Sequence, residues 1–234
     1  MLSATEVKHP AIFNMGIIEA LRGIVCEEVE RTKQGLHILD PMAGIGRIHM
    51  LAGSYHAGLD DWGGVHVETS GLELEPEWAD HHHKTRVGDA RQLPWPDGWF
   101  DAIITSPPYG NRMADKHNAK DDSKRITYKH MLGRDLTEGN TGGMQWGEEY
   151  KETMWEIWQE SDRVLRPGGL FVVNIKNHIR DKKVQRVVEW HLTNLLALGN
   201  LIVEVLRVPC EGMGFGANRD ARVDAEHIIV TRKQ

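Results

Sequence analysis

The short apolar run Leu36–Leu39 stops at Asp40-Pro41 and passes through Met42-Ala43-Gly44-Ile45-Gly46 into helix-compatible sequence at 47–57. A buried strand that ends on an acidic residue and turns on glycines into a helix is the junction around which open α/β sheets are built. Two further strand ends repeat the theme. Gly71-Leu72-Glu73-Leu74-Glu75-Pro76 closes the run 65–74, and Val87-Gly88-Asp89-Ala90 follows a short strand at 86–87. Asp40, Glu73 and Asp89 therefore stand at three successive strand ends, 33 and 16 residues apart. In a parallel sheet all three reach the carboxyl edge, where such folds bind ligands.

The rhythm continues beyond them. Ile17, Ile18, Leu21, Ile24 and Val25 have helical spacing within 12–32, and further helices are expected at 77–84, 148–165 and 184–198. Strands are expected at 101–105, 170–175, 201–208 and 227–231. The fold class is thus α/β: a doubly wound, mostly parallel, seven-stranded Rossmann-like sheet with an antiparallel return strand. The 234 residues read as one domain, 1–234, with a polar, glycine-rich insert at 110–147. No apolar run reaches the roughly 18 residues that span a bilayer, and the first residues lack the order of a signal peptide. Cys26 and Cys210 stand far apart and in no metal-ligand spacing. The expectation is a cytoplasmic protein with reduced thiols, no membrane association and no metal. Adjacent helical side chains diverge by about 100°, so His81-His82-His83 reads as a solvated helix end.

The glycine turn is not the spaced fingerprint of dinucleotide enzymes, because His49 takes the place of the third glycine. Phe100-Asp101-Ala102-Ile103-Ile104-Thr105-Ser106-Pro107-Pro108-Tyr109 carries the most specific signal: a buried strand ending in Ser-Pro-Pro-Tyr. Two successive prolines fix φ and remove two donors, which leaves carbonyls to face a ligand. The amino nitrogen of cytosine or adenine is planar, with its lone pair drawn into the ring. Acceptors that hold its two hydrogens localise that pair and ready it for methyl transfer. Ser106 and the Pro107 carbonyl can be such acceptors, with Pro108 shaping the turn and the Tyr109 ring able to stack on an extruded base.

These motifs together resemble the amino-methyltransferase family of DNA methyltransferases, whose catalytic signature is [D/N/S]-P-P-[Y/F/W], within the class I S-adenosylmethionine-dependent enzymes. The resemblance covers roughly 8–109 and 150–231, including Leu165-Arg166-Pro167-Gly168-Gly169 before the strand at 170–175. It implies a cofactor site for S-adenosylmethionine. Asp40, Pro41, Met42, Ala43, Gly44 and Gly46 would wrap the methionine part, Glu73 and Leu74 the ribose, and Asp89 and Ala90 the adenine. Glu75 is the second choice for the ribose carboxylate. His9, Pro10 and Phe13 match the segment that packs on the methionine moiety, and Ser106 lies between cofactor and base. Met42 departs from the family's usual Phe.

A serine in the first motif position is commoner in N4-cytosine enzymes, and Asp or Asn in N6-adenine enzymes, so Ser106 favours cytosine. The net charge of −6 speaks against coating nucleic acid by electrostatics alone. Basic residues nonetheless flank the motif: Arg112 to Arg134 carries seven Lys/Arg against three Asp. Arg112, Lys124, Arg125 and Lys129 in the insert, and Lys176 after the fifth predicted strand, are the candidate phosphate contacts on double-stranded DNA with a flipped base. A second subunit in a homodimer, and a companion restriction nuclease, stay open. Rival readings are an RNA or protein-glutamine methyltransferase, and a nucleic-acid-binding protein that kept the fold without the chemistry.

Overall fold

Leu170 and Val172 face one side of a central strand while Phe171 and Val173 face the other, and all four are buried. This period-two alternation with both faces apolar demands cover on both sides of the sheet. The computed structural model describes residues 9, 13–56, 64–110, 127–180, 182–210 and 223–234. Its strands are β1 (Leu36–Asp40), β2 (Gly53–Tyr55), β3 (Val65–Glu73), β4 (Thr85–Val87), β5 (Phe100–Thr105), β6 (Leu165–Ile175), β7 (His178–Arg180), β8 (Lys183–Gln185), β9 (Leu201–Pro209) and β10 (Ala225–Arg232). The helices are α1 (Met15–Thr32), α2 (Pro76–Ala79), α3 (Tyr128–Leu132), α4 (Glu148–Val164) and α5 (Val187–Ala197).

The main sheet has the order β2-β3-β1-β5-β6-β10-β9, with β4 also paired to β3. β1 pairs in parallel with β3 and β5, β5 with β6, and β3 with β4. β10 runs antiparallel between β6 and β9, which is the expected return strand. The α1 face packs Ile17, Leu21 and Val25 onto Ile38, Ile104, Val172 and Ile228. The opposite face packs Met154, Trp158 and Leu195 onto Leu39, Ile103, Phe171 and Ile229. Asn14 caps α1 by accepting from Ile17 N at 2.9 Å, satisfying one orphan donor of the first turn. Glu28 on α1 takes both Arg31 and Arg232, which ties the helix to β10. Burial pushes this carboxyl up, but the two guanidiniums outweigh burial and hold it at about 2.

Several expected boundaries move. Where a helix is expected at 47–57, the described residues form a 3-10 turn at Arg47–Leu51 and then the antiparallel edge strand β2. The helix expected at 77–84 stops after Ala79, and His82 stacks on His49 with ring centroids 3.8 Å apart. β6 begins at Leu165, because the Pro-Gly-Gly segment is absorbed as a register shift against β5. The helix expected from 184 begins at Val187. A hairpin, β7 with β8, precedes it and turns through Lys182 in the left-handed region (φ 61°). Within the expected irregular insert, α3 forms on a Thr127 cap that accepts from His130 N and ends at Gly133.

Candidate active site

A cavity of about 320 Å³ opens at the carboxyl ends of β1, β3 and β5, a volume suited to a small-molecule ligand. Asp40 and Glu73 line it, and both are almost fully buried. Asp40 accepts the Met42 amide at 3.0 Å. Glu73 accepts Gly44 N at 2.9 Å and Glu75 N at 3.0 Å, so it pins the glycine turn to the end of β3. Burial pushes the Asp40 carboxyl up to about 7 against the pull of the Thr105 hydroxyl and the Met42 amide. Burial likewise raises Glu73 to about 7, against the backbone amides of Glu75 and Gly44. Two buried carboxyls that ionise this reluctantly form a site that gains from a cationic or hydroxyl-bearing ligand. Gly44 has φ 52° and a Cβ there would come within 3.2 Å of the His9 ring, so glycine lets the turn and His9 meet.

Pro41, Met42, Ala43, Leu74, Ala90 and Phe13 also line the cavity. Gly46 does not reach it; it starts the 3-10 turn at φ 80°, against the His49 ring. Asp89 lines the cavity, but its carboxylate is engaged by Arg91, which contacts it through Nε at 3.1 Å and Nη2 at 2.6 Å. Pro10, Arg112, Lys124 and Arg125 lie outside the described residues.

The insert contributes a wall that sequence reasoning missed. Tyr128, Gly139, Asn140 and Thr141 face the cavity. Tyr128 and Trp78 meet the His9 ring at centroid distances of 5.5 and 4.4 Å. Glu75, the second choice for the ribose, has no exposed surface and serves as the latch for this wall. It accepts Thr137 N at 2.8 Å, Thr137 Oγ1 at 2.9 Å and Asn140 Nδ2 at 2.7 Å, and pairs with Arg134 at 2.7 Å. Arg134 also forks onto Glu77. Lys129 forms an exposed ion pair with Asp135 at 2.5 Å. The ammonium of Lys176 lies 2.7 Å from the Cys210 sulfur.

Ser106, Pro107, Pro108 and Tyr109 line the same cavity, beside the carboxyl edge of β1. The Pro108 carbonyl accepts the Tyr150 hydroxyl at 2.6 Å, which anchors the turn to α4. The Tyr109 hydroxyl is drawn into a polar network, 3.1 Å from Ser106 Oγ and 3.3 Å from Glu226 Oε2. Asn174 Nδ2 lies 3.2 Å from both hydroxyls and 2.7 Å from Glu226. Asn174 and Glu226, from β6 and β10, complete the cavity and were not anticipated. Single polar residues inside apolar strands carry no local signal of a ligand.

The sheet order and the cavity at its carboxyl edge define the doubly wound, Rossmann-like α/β fold shared by class I methyltransferases. A family model described as DNA methylase, of the N6 and N4 type, matches residues 100–234. More than half of the chain is matched, and the protein belongs to that DNA methylase family, which methylates amino groups of bases in DNA. No curated protein matches the sequence. Among solved structures, the PH0226 protein of Pyrococcus horikoshii OT3 is similar at 13% identity and TM-score 0.52, over 93% of this chain and 89% of that one. The geranyl diphosphate C-methyltransferase of Streptomyces coelicolor A3(2) is similar at 11% identity and TM-score 0.51, over 93% and 81% of the two chains. The cyclase SpnF is similar at 16% identity and TM-score 0.52, over 97% and 84%. These likenesses concern the fold; that one neighbour is a cyclase shows why the reaction is read from the site. No helix among the described residues is long and apolar enough to cross a membrane.

Proposed function

We propose that the protein methylates N4 of cytosine in double-stranded DNA, on a base extruded into the cavity. The carrying observation is the meeting of two half-sites in one cavity: the buried carboxyls Asp40 and Glu73, and the Ser106–Tyr109 turn. S-adenosylmethionine carries a sulfonium, an ammonium and a ribose diol, which suit two reluctant carboxyls and the close backbone approach at Gly44. In this reading Asp40 and the 41–44 turn hold the methionine portion, Glu73 the diol, and Ala90 the adenine side. Bound there, the cofactor supplies an electrophilic methyl group.

Ser106 then accepts an amino hydrogen of the target base. A hydroxyl in the first motif position supports cytosine over adenine, and the neutral amine needs no prior activation by a nucleophile. Tyr109 borders the same space and offers a ring to the extruded base. Transfer of labelled methyl groups from the cofactor to duplex DNA, followed by nucleoside analysis, tests this. N4-methyldeoxycytidine is expected. N6-methyldeoxyadenosine would reassign the base, and 5-methyldeoxycytidine would refute the mechanism, because carbon methylation needs an activating nucleophile.

A further inference from the structure

A serine hydroxyl can donate or accept, yet the amino group of a base needs an acceptor from Ser106. The surrounding network decides which it offers. Glu226 as a carboxylate only accepts, so the 3.3 Å contact takes the single hydroxyl hydrogen of Tyr109. With that hydrogen committed, Tyr109 Oη accepts from Ser106 across 3.1 Å. The amide of Asn174 is oriented by the same logic: its Nδ2 faces Ser106, Tyr109 and Glu226, three acceptors, and the reversed amide would set oxygen against carboxylate. Asn174 is 2% exposed, and its Oδ1 has no partner among the described residues. The Ser106 hydrogen therefore points away from substrate, and a lone pair is left for the cavity that Ser106 lines.

We propose that Glu226 is a positioning and proton-accepting residue. It ends a directed chain, Ser106 to Tyr109 to Glu226, that makes Ser106 an obligatory acceptor for the target amino group. This inference rests on the amino-methylation reading above. As the amino nitrogen bonds to the methyl carbon, the S–CH3 bond of the cofactor breaks and its electron pair stays on sulfur. The nitrogen must then lose one proton. That proton passes to Ser106 Oγ while the Ser106 hydrogen moves to Tyr109 Oη and the Tyr109 hydrogen to Glu226 Oε2. Both hydroxyls end neutral, Glu226 ends as the acid, and the methylated amine is uncharged. The chain delivers to a Ser-Pro-Pro-Tyr motif the charge that an acidic first residue would place there directly.

The test is Glu226→Gln in the full-length protein, since glutamine keeps the shape and loses both the charge and the acceptor-only character. Turnover should fall about 100-fold, the scale of a lost proton-transfer contribution, with cofactor affinity unchanged by calorimetry. Ser106→Asp in the Glu226→Gln background should recover about tenfold or more of the loss, because it restores a carboxylate at the motif. Tyr109→Phe, which keeps the ring and cuts the chain, should lower turnover and add little to Glu226→Gln. Wild-type turnover in Glu226→Gln would overturn the proposal. So would a loss of cofactor affinity in step with folded fraction and no rescue by Ser106→Asp. Absence of amino-methylated product from the wild-type protein would instead refute the underlying reading, and this inference with it.

Discussion

Tyr150 donates its hydroxyl hydrogen to the Pro108 carbonyl at 2.6 Å and, through His191 of α5, is joined to Trp158 two turns further along α4. Trp158 Nε1 donates to His191 Nδ1 at 3.1 Å, so the neutral ring carries its hydrogen on Nε2 and gives it to Tyr150 Oη at 3.2 Å. The hydrogens run one way, from Trp158 to the Ser106–Tyr109 turn. Tyr150 and His191 are fully buried, so the chain is built into the core. This fixes the peptide after Pro108, and with it the placing of Tyr109.

Tyr150→Phe keeps the ring among Trp146, Trp190 and His191 but strands the Pro108 carbonyl and the His191 hydrogen. Each buried group left without a partner costs about 1–3 kcal/mol. Denaturant unfolding should show a loss on that scale with an unchanged m-value, and turnover should fall more than cofactor affinity. A variant with wild-type stability would remove this chain from the account.

His191 also sets an acid limit. Burial lowers it to about 3 from an ordinary 6.5. The unfolded chain therefore binds this proton at higher pH than the folded one. The stability it gives is complete above pH 6.5 and lost as pH falls toward 3, at up to about 1.4 kcal/mol per pH unit. Urea titrations between pH 7 and 4 on His191→Gln should show a shallower acid slope than the wild type. Equal slopes would mean that other groups dominate this window.

The strand end at Asp40 could be read from sequence because it closes the short run Leu36–Leu39 at a proline, and the one at Glu73 because Gly71 and Pro76 bracket Leu72-Glu73-Leu74-Glu75. The Ser106–Tyr109 turn was visible for the same reason. Its partners were not. Glu226 lies 117 residues from Tyr109 and reaches it only because β10 returns antiparallel beside β6. Asn174 is one polar position in the apolar run Leu170–Ile175, where periodicity reports burial and not purpose. Tyr128 sits in glycine-rich polar sequence, and its place against His9 depends on Glu75 gripping residues 134–140. For the basic residues, too, charge was countable but pairing was not: Arg134 meets Glu75 and Lys129 meets Asp135.

The Glu75 latch predicts an order of effects. Glu75→Gln weakens four contacts at once and leaves Arg134 with Glu77 alone, whereas Arg134→Met leaves the Thr137 and Asn140 bonds in place. Arg134 is partly exposed, so solvent screens its share. Hydrogen exchange at Thr137 and Gly142 should quicken more in Glu75→Gln than in Arg134→Met, and cofactor affinity should fall in the same order. A loss of one charge-assisted contact corresponds to about 1.5–3 kcal/mol. If exchange is untouched in both variants, the insert wall is held by something other than Glu75.

Asp40→Asn should separate stability from function. The Asp40 carboxyl is 2% exposed and raised to about 7, with burial the main cause and the Glu73 charge adding to it. Because the folded value lies above the ordinary 3.8, the favourable contribution is complete below about pH 4 and is lost as pH rises through 7. At pH 8 the free protein thus carries a buried negative charge that asparagine removes. The asparagine side chain can still accept the Met42 amide, so the turn keeps its bond. Thermal unfolding of the free protein at pH 8 should therefore occur at a higher temperature in Asp40→Asn, with the gap closing toward pH 5. Cofactor binding should change the other way: it should be weaker by about tenfold or more, since a charge-assisted contact is worth about 1.5–3 kcal/mol. In the wild type the affinity should rise with pH through 7 and binding should release protons. In Asp40→Asn both effects should shrink to what Glu73 alone supplies. Calorimetry in buffers of different ionisation enthalpy counts those protons. A variant that is less stable at pH 8, or that binds cofactor as tightly as the wild type, would show that Asp40 supports the fold and does not face the ligand.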